Sequence, residues 1–283
     1  MKYMTQGRKD AEWPRGVRAL LAPLQLRVKL GPAEEAFVLP TVTALAFLTV
    51  WHLGVVMTRT TIFPSPWDVA LGLKDLIHRG LLWSYMRDSL FRAGAGYILA
   101  TVLGVPIGIL LGWYKPAAAT CNPLIQMLRP ISPLAWMPLA VIWFGVSDLA
   151  PIFLIFLGAF FPIVVSTMNS VRNVPTVFLH AGRNFGLSPA ALFRRVVFPA
   201  ILPQVLGGLR IALGIAWLVL VAAEMIAVNS GLGYLIIDSR NAGKRYDLVV
   251  AGMLTIGIIG LGLDVATRQV EKLKSVRWGF RTD

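Results

Sequence analysis

The chain has 283 residues, 56% of them hydrophobic and 14% charged, with a mean hydropathy of +0.68 and a formal net charge of +13. A soluble domain carries about 25% charged residues, so the composition excludes a water-solvated globule and indicates an all-α polytopic membrane protein. Basic residues beside apolar spans hold loops against anionic lipid, so the charge does not argue for nucleic acid. One cysteine, Cys121, excludes an intrachain disulfide and a cysteine-pair metal site.

Residues 1–36 are polar and basic. Trp13, Leu20, Leu21, Leu24 and Leu26 among Arg15, Arg18, Arg27 and Lys29 predict a cytoplasmic amphipathic segment on the membrane surface, not a cleavable signal peptide. Six spans are then expected at 37–57, 90–113, 122–144, 150–170, 204–227 and 248–264, most of them near the roughly 20 residues that cross hydrocarbon. Between the first two, residues 64–88 place Val69, Leu73, Leu76 and Ile77 at helical spacing, which predicts a helix along the outer interface.

The second span begins near Arg92 and carries Gly96, Ala100, Gly104, Gly108 and Gly112 at every fourth position. Small residues let helix backbones approach closely in lipid, either within the chain or across a dimer. The third span is broken by Pro130, Pro133 and Pro138. Irregular backbone at membrane depth is tolerated where protein or a wet cavity covers it, so Ser132, Trp136 and Met137 are candidates for a translocation path. Glu224 and Asn229, near the end of the fifth span, are further candidates, although a structural hydrogen bond near the interface accounts for Glu224 equally well.

Residues 172–203 separate the uncharged fourth span from the fifth. From Pro175 to Phe185, Val177, Phe178, Ala181 and Phe185 line one helical face, while Thr176, His180, Arg183 and Asn184 line the other. Gly186 suits the left-handed position that ends a helix, and Ser188 and Pro189 supply an N-cap and first-turn proline for a second one. That second helix carries Leu192, Phe193, Val196 and Val197 before Pro199 and Pro203 are expected to redirect the chain. A helix-turn-helix with this much apolar surface marks a docking site for another protein. Of the 27 Lys and Arg, 18 fall in segments that a cytoplasmic N-terminus would place inside, so both termini are expected in the cytoplasm.

The stretch AGRNFGLSPAALFRRVVFP resembles the EAA loop of ABC importer permeases, with Ala181, Gly186, Val196, Phe198 and Pro199 at matching positions. His180 stands where that family usually has Glu, Gly182 where it has Ala, and Phe198 where it has Leu. From about residue 62 onward, RPISPLAWMPLAVIWFG, ALGIAWLVLVAAEMIAVNSGLGYLI and RYDLVVAGML resemble the nitrate, sulfonate, taurine and bicarbonate permeases. The resemblance implies a type I, MetI-like importer fold across 37–268, a cytoplasmic tail at 269–283, and a place in the bacterial inner membrane. It implies a homodimer, two cytoplasmic ABC ATPase subunits that hold ATP and Mg, and an extracytoplasmic substrate-binding protein. Phe178, His180, Ala181, Phe185, Gly186, Leu187, Arg194 and Pro199 would form the ATPase-coupling set. Nitrate (or nitrite) is the first expectation for the solute, with bicarbonate, sulfonate or taurine behind it.

The chain contains no GxxxxGK[ST] phosphate loop, so P-loop ATP hydrolysis is not its own chemistry and no cofactor is expected within it. An intramembrane enzyme is disfavoured because His52, His78 and His180 fall in three separate regions. A self-contained secondary transporter would use Arg92, Glu224 or Asp264 as intramembrane charges, but leaves the docking loop without a purpose.

Overall fold

The computed structural model describes residues 32–58 and 62–271, apart from the side chains of 32–37 and Ala242. The predicted surface segment before residue 32 and the tail from 272 lie outside the described residues. Two compact units divide the chain, residues 1–54 and 55–283. Helix α1 (Pro32–Thr58) carries the described part of the first and runs into the second. Its Leu39, Phe47 and Val50 are exposed, as lipid-facing side chains are. Thr43 and Thr49 donate their hydroxyls to carbonyls four residues back at 2.8 Å, so neither enters hydrocarbon unsatisfied.

In the second unit, α2 (Pro66–His78) starts at a capping box in which Ser65 and Asp68 satisfy each other's backbone N–H groups. Val69 and Leu76 are buried and Leu73 is half-buried, whereas Ile77 is exposed. Gly80 ends this segment, and α3 (Leu81–Trp113) follows at once. The expected interfacial segment is therefore two elements. Its last turns belong to the second span, which starts at Leu81 and not near 90. At 1.5 Å per residue, 33 residues reach about 50 Å, beyond the hydrocarbon thickness.

The small-residue stripe of α3 is an intrachain seam against α6 (Leu149–Arg172). A Cβ added at Gly108 would lie 2.6 Å from Thr167 Cβ, and one at Gly104 would lie 2.9 Å from Ile163 Cγ2. Ala100 is fully buried. Such spacing lets dispersion contacts hold the pair together where no hydrophobic effect operates.

Between these helices the prolines break the third span. Helix α4 (Lys115–Leu128) ends before Pro130, and a 3₁₀ turn (Pro133–Trp136) leads into α5 (Met137–Phe144). The two halves are bent by 82°. After α6 come α7 (Thr176–Asn184), α8 (Pro189–Leu192) and a π-turn (Phe193–Val197).

The chain continues without a break into α9 (Phe198–Ala227). Pro199 and Pro203 therefore do not redirect it. Pro199 lacks an N–H and would press on the carbonyl four residues back. The wider π-turn, closed by Phe198 N–H to the Phe193 carbonyl, makes room at that point. Helix α10 (Leu232–Gly243) packs beside α11 (Tyr246–Glu271). Among the described residues five helices are long and apolar enough to span, or six when the bent pair counts as one.

Candidate coupling surface and buried ion network

Helix α7 is held to the chain by one side only. Leu179 is half-buried, Gly182 is buried, and a Cβ at 182 would strike Leu192 of α8. The opposite face presents Val177 at 70%, Phe178 at 48% and Phe185 at 87% exposure. Ala181 and His180 are exposed as well. Apolar side chains this open on a projecting helix lack a protein neighbour.

The turn after α7 is rigid. Leu187 N–H donates to the Gly182 carbonyl at 3.1 Å and Gly186 N–H to the Arg183 carbonyl at 2.9 Å, the paired bonds of a Schellman motif. Gly186 sits at φ +73°, as the sequence predicts for a left-handed stop. Ser188 caps α8 by accepting from Ala191 N–H at 3.4 Å. Leu187 is half-buried behind the turn, while Arg194 and Pro199 are exposed. The structure thus brings Phe178, Ala181 and Phe185 to one surface and gives Gly186 and Leu187 the job of fixing its angle.

At the other end of the spans lies a closed polar cluster. Arg92, only 3% exposed, donates through Nη1 to Glu224 Oε1 and to the Ser230 carbonyl, both at 2.8 Å. Its Nε donates to Asp148 Oδ1 at 2.8 Å, and Nη2 donates to Ser230 Oγ. Glu224, fully buried, also accepts from Ser89 Oγ at 2.8 and 2.9 Å and from Gly233 N–H at 3.0 Å. Ser89 Oγ in turn accepts from Leu232 N–H at 2.8 Å. Gly231, at φ +105°, passes so close to the Glu224 carboxylate that any side chain there would overlap it. Among the described residues no buried side-chain polar atom lacks a partner.

Glu224 therefore does not line a path in this state. It is sealed inside the chain, where it ties α3, α9 and the 228–233 turn together. Met137, another expected path residue, is also buried. Ser132, half-buried Trp136 and Asn229 remain accessible, the first two at the 82° bend. Asp148, which completes the Arg92 cluster from the loop before α6, reads in the sequence as an ordinary loop carboxylate. Its only signal is a position that reaches the buried arginine once the helices pack.

Asp264 is also paired. It accepts from Arg210 Nε at 2.7 Å and from Arg268 Nε at 2.9 Å. All three charges available to a secondary-transport mechanism are thus already neutralised within the chain.

The family model for the binding-protein-dependent transport system inner membrane component matches residues 104–275. A putative ABC transporter permease protein of Methanocaldococcus jannaschii is 42% identical over 73% of this chain and 75% of its own length. A putative aliphatic sulfonates transport permease protein of Bacillus subtilis is 36% identical over 86% of this chain and 87% of its own. A nitrate import permease protein of Leptolyngbya laminosa is 34% identical over 78% and 83%. Among solved structures, the inward-facing methionine ABC transporter superposes with a TM-score of 0.60 at 19% identity, covering 71% of this chain and 96% of that one. That likeness shows the fold, a MetI-like permease fold. The chain belongs to the family of binding-protein-dependent transport system inner membrane components, the membrane-spanning permease subunits of ABC transporters.

Proposed function

We propose that two copies of this chain form the translocation path of an ATP-driven importer for a small oxyanion. The exposed apolar face of α7, Val177, Phe178, Ala181 and Phe185, carries this reading. Each copy inserts that face into a cleft of a cytoplasmic ATPase, which binds ATP and Mg, while an extracytoplasmic binding protein delivers the solute. Both termini lie in the cytoplasm, on the side where α7 projects. The chain itself performs no hydrolysis. Its part is to convert movement at α7 into movement of α3, α6 and α9, the first and last of which pack extensively against α6.

Nitrate and the sulfonates, taurine among them, share a compact anionic head with equivalent oxygens. Relatives named for aliphatic sulfonates and for nitrate both match most of this chain, which supports the shared class above either member. The nitrate expectation is retained as one member of it.

The test is uptake by inside-right membrane vesicles carrying this chain with its co-purifying subunits, energised by internal ATP. Labelled nitrate, taurine and ethanesulfonate are compared with uncharged glycerol. ATP-dependent accumulation of one oxyanion is expected, lost when Phe185 becomes Asp. Uptake that persists without ATP and without an ATPase in the complex would overturn the reading.

A further inference from the structure

The ends of α3 and α6 from which α7 projects enclose a cavity of about 870 Å³ together with the start of α4. Lys115, Arg172 and Arg183 all line it, and no carboxylate does. Among the described residues none of the three has a carboxylate within 4 Å; other described cations, Arg194 and Arg195 among them, also lack one, and what sets these three apart is that they share one cavity. Three like charges around one cavity repel each other unless an anion sits between them.

Two further features point the same way. Helices α4 and α7 both begin at the cavity, at Lys115 and Thr176, and neither has a side-chain cap. Their free N–H groups and dipoles favour negative charge. The rest of the wall is mixed: Asn122 and Thr176 add polar atoms, while Trp113 and Leu179 expose hydrocarbon to the same space. Tryptophan at the end of a spanning helix marks the headgroup level.

We propose that this cavity binds the phosphate of an anionic phospholipid headgroup, such as phosphatidylglycerol, with the phosphate among the three cations and the glycerol and upper acyl carbons against Trp113 and Leu179. Basic pockets between spanning helices hold acidic headgroups in this manner. The shared chemistry is a phosphate anion, and a soluble phosphate is the other source. Leu179 and Arg183 lie on the inner face of α7, behind the surface offered to the ATPase. A bound headgroup would therefore brace α7 from the membrane side. Binding does not depend on the ATPase reading, but this bracing role does.

The test is native mass spectrometry of the full chain with its co-purifying subunits, released from detergent micelles doped with phosphatidylglycerol or phosphatidylcholine. The wild type should retain phosphatidylglycerol preferentially. Lys115→Gln, Arg172→Gln and Arg183→Gln should each lower that retention about fivefold, while Arg79→Gln, at the far end of the spans, should not. Preferential retention lost in these variants supports the lipid source. No lipid preference, with inorganic phosphate adducts on the wild type that the same variants lose, supports the site with a soluble source. Equal retention of both lipids and no phosphate adduct on the wild type overturns the proposal, and needs no variant to fold. The subunits seen in the same spectra report separately on the ATPase reading.

Discussion

Arg92 and Arg183 are both arginines at the ends of membrane-spanning bundles, yet their surroundings differ in kind. Arg92 is 3% exposed and spends its donors on Glu224, Asp148 and Ser230. Arg183 is exposed to the cavity behind α7 with no carboxylate within 4 Å, on a helix whose opposite face carries apolar side chains that no part of the chain covers. A charge buried in hydrocarbon must be fully paired or it is not tolerated. Saturation at the Arg92 end therefore denotes internal architecture. Unmet charge and unmet apolar area at the α7 end denote surfaces completed by something outside the chain.

Removing one partner from the saturated cluster should have the largest effect. Glu224→Ala leaves Arg92 with one fewer buried acceptor and strands Ser89 and the Gly233 N–H. Breaking a buried pair in this way costs about 3–5 kcal/mol, enough to remove most of the folded protein. The expected outcome is near-complete loss of monodisperse chain after detergent extraction. Replacing both partners, Arg92→Met with Glu224→Leu, should recover much of it. If Glu224→Ala extracts and melts like wild type, the cluster is not what holds this end together.

Phe185→Asp probes the opposite end and should invert that pattern. At 87% exposure the ring contributes little to the isolated chain, so extraction and melting should hardly change. An aromatic anchor lost from the centre of an interface costs about 2 kcal/mol or more, so ATPase recovered in a pull-down should fall at least about tenfold. A destabilised chain with unchanged ATPase recovery would place Phe185 in the fold, and the comparison between the two ends would fail.

The spanning helices were legible because an uncharged run of this length has few alternatives to crossing the bilayer. The helix-turn-helix was legible because Gly186, Ser188 and Pro189 act through local backbone chemistry that neighbours do not override. What escaped depends on packing. The first turns of α3 carry Arg87 and Asp88 and read as the end of an interfacial helix, although they belong to a spanning helix that extends past the hydrocarbon. Asp148 and Ser230 become partners of Arg92 only after α3, α6 and α9 assemble, and no spacing in the sequence links residues 56 and 138 positions apart. Glu224 was visible as an intramembrane charge, but whether it faced a path or a partner was decided by which side of α9 packs against α3.

The smallest expected effect separates the surface from the turn that aims it. Gly186 stands at φ +73° with open space around it, so a side chain there meets no steric obstacle. Only the backbone conformation penalises one, by about 1–2 kcal/mol for a residue such as valine. Gly186→Val should therefore leave the Arg92 end and the overall melting point nearly unchanged while loosening the Schellman bonds at Arg183 and Gly182. Reduced coupling is expected, read as a several-fold lower rate of ATP hydrolysis at saturating solute with the ATPase still bound. Gly186→Asn is the control, since asparagine tolerates the left-handed region and should restore most of that rate. Equal rates in valine, asparagine and wild type would mean that α7 needs its exposed face but not its angle, which would make the docking surface a tether and not a lever.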